Sequence, residues 1–133
     1  MRNTITAILW TLRVSAIVQL VSGILFWTGH AITFRPFHMV VGSLVVLGVW
    51  AIAVMALVTG VRRGLALFEL VWGLALAVFG AQQMVLLIGS LHWIIRIVHI
   101  AMAFSTMELG GNLGKAIQAT LPGSLREREP AAG

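Results

Sequence analysis

The chain has 133 residues, 59% of them hydrophobic and only 10% charged, against about 25% charged in an ordinary soluble domain. With a mean hydropathy of +1.00, so short a chain has too much surface to hide its apolar area from water, which excludes a soluble domain and implies one compact unit covered by lipid. The absence of cysteine removes disulfides, thiolate metal sites, iron–sulfur clusters and covalent haem attachment, and the formal charge of +5 comes from residues scattered at span ends, not from a basic stripe that would suit nucleic acid.

Apolar runs near 20 residues mark membrane-crossing helices, and four are predicted. The first covers 5–29. It is too long for a cleavable signal peptide, and no small-residue cleavage site follows it. "TGHAITFRP" then breaks the chain with Gly29 and Pro36, and Pro suits the first turn of the next helix, 37–59. "TGVRRG" separates this from a third span, 65–88. "IGS" makes a short turn in which Ser90 is placed to cap the fourth span, 91–110. Beyond Gly110 the hydropathy falls, which predicts a short interfacial helix over 112–119 and a disordered cytoplasmic tail to 133. The expected fold is an all-α integral membrane four-helix bundle over 1–111, running up-down-up-down.

Lys and Arg favour the cytoplasmic side of a membrane. Arg2, Arg62, Arg63, Lys115, Arg126 and Arg128 fall on one side and Arg35 on the other, so both termini are expected in the cytoplasm, with the chain in a cell membrane of the bacterial inner-membrane kind. Trp27 and Trp93 then lie at the outer interface.

With that topology every histidine falls in the outer half. His30 ends the first span, His38 begins the second, and His92 and His99 lie on the fourth. Gln82 and Gln83 join the same half. Helical spacing gathers His92, Arg96, His99, Ala103 and Thr106 on one stripe of the fourth span. Glu69, Gly73, Leu76, Gly80 and Gln83 form a stripe on the third, and Ala16, Gln19, Gly23, Phe26 and His30 one on the first. The second span offers His38, Gly42 and Val45. Polar residues inside a span face the bundle interior, and small ones let helices or a flat cofactor approach closely.

Neutral imidazoles from two helices can hold a b-type haem in a bundle. Gly42 and Ala103, each one turn beyond a histidine, would give the macrocycle room, and Arg96, His92 and Arg35 would meet its carboxylates. Two pairings are open: His38 with His99, or His38 or His30 with His92. Counting from the predicted span starts sets His38 and His99 apart by roughly 9 Å along the axis, which favours the second; the polar ladder from His99 through Arg96 favours the first.

The segments "FHMVVGSLVVLGVWAIA" and "HWIIRIVHIAMAF" resemble helices of small bacterial four-helix b-type cytochromes of the cytochrome b561-like kind, over spans 2 to 4. The resemblance implies electron transfer, with a partner redox protein or a larger complex. The chain departs from the usual pattern of one haem near each membrane face, since only the outer haem would have ligands.

Blander assignments stand beside these. His30, His38 and His92 could be solvated or anchoring residues at the rim, and His99 could be satisfied by one hydrogen bond to Gln83 or to backbone. Arg96 needs a partner, because arginine at a helix centre costs about 2.5–3.5 kcal/mol on insertion scales. Arg13, Glu69 and Glu108 are expected to form a salt bridge. Gln82 and Gln83 suit packing hydrogen bonds, with a quinone headgroup as a second use. The competing functions are a cofactor-free accessory subunit, a small transporter, and a zinc or copper site at the outer rim built from His30, His38 and His92. No nucleotide-binding or hydrolase motif is present.

Overall fold

The computed structural model describes residues 1–121. Four long helices, α1 (Arg2–Trp27), α2 (Arg35–Thr59), α3 (Arg63–Gln82) and α4 (His92–Thr120), make up nearly all of it, with one 3-10 turn at Ile32–Phe34. All four are long and apolar enough to cross a membrane.

The breaks between helices have local causes. Gly29 (φ +81°) and Gly60 (φ +75°) end α1 and α2 with the same motif. The Gly60 N–H bonds to the Leu57 carbonyl and the Val61 N–H to the Ala56 carbonyl; at α1 the bonds run from Gly29 to Phe26 and from His30 to Leu25. This pairing needs a left-handed residue that glycine supplies without strain. Pro36 sits in the first turn of α2. The expected Ser90 cap is not made: α4 is preceded by Leu91, with no side-chain cap. Backbone does the work instead, as the His92 N–H bonds to the Gly89 carbonyl and the Ile94 N–H to the Leu91 carbonyl.

Two element boundaries differ from the sequence expectation. α3 stops at Gln82, and the apolar run that follows becomes a turn with Leu87 at φ 45° and Gly89 at φ 104°. α4 does not end near Gly110. It runs unbroken to Thr120, so 112–119 is its last part and not a separate helix. The reason is packing: Leu113, Gly114 and Ile117 are buried, and Leu113 and Ile117 join Ile5, Ile52, Ala53, Ala56 and Ala66 in one core cluster. The fall in hydropathy at "GGNLGK" reflects small residues that let helices touch. A methyl group at Gly114 would lie 3.0 Å from Leu9, and one at Gly110 3.0 Å from Val49. The tail expected beyond this helix lies outside the described residues.

Neighbours in sequence pack antiparallel. Gly48 meets Leu12 while Gly23 lies near His38, so numbers rise along α2 as they fall along α1. Gly80 meets His99 while the Trp72 indole donates to Ser105 (2.8 Å), which sets α3 against α4. The alternating helices α2 and α4 are therefore parallel, and they touch at Val49 and Gly110. One end of the bundle carries the α1–α2 and α3–α4 connections and all four histidines. The other carries Met1, the α2–α3 turn and Thr120.

Much of the outer surface is apolar. Trp10, Val14, Ile17, Val21 and Ile24 recur every three or four residues along an exposed face of α1. Contiguous apolar faces of this extent are not tolerated in water.

Candidate functional site

The packing of α2 on α4 decides which histidines can meet. Val49 lies 11 residues beyond His38, and Gly110 lies 11 residues beyond His99. Eleven residues are about three helical turns, so each histidine sits almost directly above its contact residue, roughly 16 Å along the axis. Two parallel helices that touch at Val49 and Gly110 therefore carry His38 and His99 at about one level. The roughly 9 Å offset expected from span starts vanishes: α4 projects one turn further than α2 at this end, so His99 is not deeper than His38.

His38 is held from α1. Its Nδ1 lies 2.7 Å from Ser22 Oγ. The Ser22 hydroxyl donates its hydrogen to the Val18 carbonyl at 2.7 Å, so its oxygen accepts from the imidazole. With the bonds in that direction the imidazole carries its proton on Nδ1 and leaves the Nε2 lone pair uncommitted. Gln19 Nε2 donates to the His38 carbonyl at 2.9 Å, and Phe26 meets the ring edge-on at 5.3 Å between centroids. Gly23 stands beside the ring, where a methyl group would lie 3.8 Å from Cε1. Gly42 gives space to Gln19 and not to the ring: a methyl group there would be 2.5 Å from Gln19 Nε2.

His99 is held from α3. Phe79 stacks on it with planes 12° apart and centroids at 6.3 Å. A methyl group at Gly80 would lie 2.9 Å from its Cε1. Its Nδ1 is buried and has no hydrogen-bond partner, so the bond expected to Gln83 or backbone is absent. Gln83 is half-buried just after the end of α3.

The remaining candidates stand apart from this pair. His30 is exposed, its Nδ1 3.1 Å from Thr28 Oγ1. His92 Nδ1 donates to the Leu86 carbonyl at 3.1 Å, which ties the α3–α4 connection to the start of α4. Arg35 is exposed at the start of α2. Arg96 lies with its guanidinium 5.8 Å from the centre of the Trp27 ring, and Trp27 is the last residue of α1. Arg96 is thus at the end of the bundle, where the cost of a charge at mid-helix does not apply.

Two expectations are corrected. The rim zinc or copper site is not built: among the described residues no group of three or more His, Cys, Asp or Glu could hold a metal ion, because His30, His38 and His92 each bond to a different local partner. The salt bridge among Arg13, Glu69 and Glu108 is not formed either. Arg13 is exposed on α1, 5.1 Å over the Trp10 ring; Glu108 accepts from Asn112 at 3.1 Å; both Glu69 oxygens are buried without a partner. The helices turn these side chains to different faces.

Sequence reasoning missed Ser22 and Phe79. Ser22 lies three residues from Gln19 and four from Phe26, so it borders the stripe already assigned inward. Phe79 adjoins Gly80, but apolar residues surround it in sequence and nothing there distinguishes it. Chemically, the arrangement offers two imidazoles on separate helices, flanked by glycine and aromatic side chains, with arginines at the nearby rim. Comparison of the chain with family models, with curated proteins and with solved structures finds no match.

Proposed function

We propose that the chain is a membrane-embedded b-type cytochrome that carries electrons, with His38 and His99 as axial ligands of one haem. The observation that supports this most is the α2–α4 alignment, which brings two imidazoles from separate helices to one level. The residues also fit the group chemically. Ser22 orients His38 as a partner of a metal-bound histidine does, by fixing one ring nitrogen and freeing the other. The orphaned His99 Nδ1 is a buried polar atom awaiting a partner, and Gly23 and Gly80 let α1 and α3 approach the two rings closely.

Haem, when bound, supplies the one-electron ferric–ferrous couple. The protein's share is to bind and tune. Phe26 and Phe79 wall the site against water. Arg96, one turn nearer the bundle end than His99, and Arg35 at the start of α2 offer cations to haem carboxylates. In the bilayer, Arg2, Arg62, Arg63 and Lys115 gather toward the end opposite the histidines, which supports a cytoplasmic position for that end and a redox site near the outer face. This is the arrangement that a b561-like cytochrome with only its outer haem would have. A donor or acceptor, a quinone or a partner redox protein, is reached from that face.

The test is a reduced-minus-oxidised spectrum of the protein purified in detergent, with iron analysis. A sharp α-band of b haem is expected. His38→Ala and His99→Ala each abolish it; His30→Ala and His92→Ala retain it. A colourless, iron-free preparation from haem-replete cells overturns the reading and leaves a cofactor-free accessory subunit.

A further inference from the structure

Glu69, on α3, is an ionisable group that the haem site does not use. It is fully buried, at 0% exposure, and neither carboxyl oxygen has a hydrogen-bond partner. Its place is fixed from both sides: the next residue, Leu70, accepts from the Trp50 indole at 3.1 Å, and Trp72 bonds across to Ser105. One turn away on the same stripe are Ala66 and Gly73, both buried.

No charge faces it from the helices packed around α3. α2 carries only Arg35 and His38, both at the far end of the bundle. On α4 the nearest are Glu108 and Lys115, both exposed. Arg13 on α1 is exposed, as are Arg62 in the turn before α3 and Arg63 at its start. An unpaired carboxylate in such surroundings is far costlier than the neutral acid, so the resident form carries a proton.

The bundle end nearest Glu69 is the one that carries the α2–α3 turn. Glu69 is six residues from the start of α3, about 9 Å along the axis, and helical side chains lean toward the helix N-terminus. Its carboxyl therefore tilts toward the end that carries Met1 and the α2–α3 turn. In the other direction Thr106, fully buried with its hydroxyl unpartnered, lies two turns from His99 on α4.

We propose that Glu69 is a proton-binding site inside the bundle that exchanges its proton with water at the end that carries Met1 and the α2–α3 turn. The inference does not depend on haem being bound.

Infrared spectroscopy of the purified protein at neutral pH tests it. Wild type is expected to show the carbonyl stretch of a protonated carboxylic acid, shifted when water is replaced by deuterium oxide. Glu69→Gln loses the band and Glu108→Gln keeps it. Should Glu69→Gln fail to fold, dicyclohexylcarbodiimide assigns the band in wild type. The acid gives its proton to a carbodiimide nitrogen while a carboxyl oxygen bonds the central carbon, and peptide mapping places the adduct. Wild type without a protonated-acid band overturns the proposal, and so does a band still unshifted after prolonged incubation in deuterium oxide. A colourless preparation leaves the measurement valid, so failure of the haem reading and failure here are distinguishable.

Discussion

Ser22→Ala isolates the step on which the His38 assignment turns. The substitution removes one oxygen and leaves the helix otherwise intact. The His38 Nδ1–H loses its acceptor at 2.7 Å, and the tautomer that presents Nε2 is no longer favoured. A typical hydrogen bond contributes about 0.5–1.5 kcal/mol net, so the apoprotein should lose about that much stability. Haem affinity should fall further, because removing the partner of a metal-bound histidine typically costs roughly 10–100-fold, or about 1.4–2.7 kcal/mol. Ser43→Ala is the control: Ser43 Oγ donates to the Met39 carbonyl of its own helix at 2.9 Å and touches no imidazole. The assay is haem titration of the two apoproteins followed by absorbance, with thermal unfolding in detergent alongside. Equal affinity in the two variants would refute the role given to Ser22 and the tautomer assigned to His38.

Neighbouring glycines on α4 should respond with opposite signs: Gly110→Ala drives a methyl group to 3.0 Å from Val49 and should lower the unfolding temperature. Gly111→Ala meets nothing within 4 Å and should stabilise the helix by about 0.5–1 kcal/mol. In Gly80→Ala the methyl group, 2.9 Å from His99 Cε1, displaces the ring, so the haem spectrum should weaken while Gly64→Ala, with open space around it, leaves it unchanged. The chain has no cysteine, so single cysteines report orientation directly. Thr33→Cys and Ser90→Cys should react with an impermeant maleimide in intact cells, and Gly64→Cys only after permeabilisation; the reverse pattern would invert the topology.

The four helices and the confinement of the histidines to one end were legible, because hydropathy and punctuation by Gly29, Pro36 and Gly60 act locally. The alignment of α2 with α4 was not. It depends on Gly110 and Gly114 acting as contact points, and hydropathy treats a small contact residue as a gap. For that reason the sequence ends the fourth span at 110, and counting from span starts, which ignores the extra turn of α4 beyond α2, sets His99 too deep. The expected ion pair failed on the same ground: α1 is apolar nearly all round, so periodicity does not reveal that Arg13 looks outward. Ser22 was hidden because one hydroxyl in an apolar span looks like a residue satisfied by its own helix, and here it is that and an imidazole acceptor as well.

The contact of Val49 with Gly110 works as a ruler, and a ruler tolerates changes everywhere except between its marks. The connection 83–91 can be lengthened or trimmed without altering how far His99 stands above Gly110. One residue inserted between 99 and 110 would swing His99 by roughly 100° about its axis and carry it away from His38, leaving helix content untouched. Length variation in this protein is therefore free in its hairpins and forbidden along two eleven-residue segments, 38–49 of α2 and 99–110 of α4.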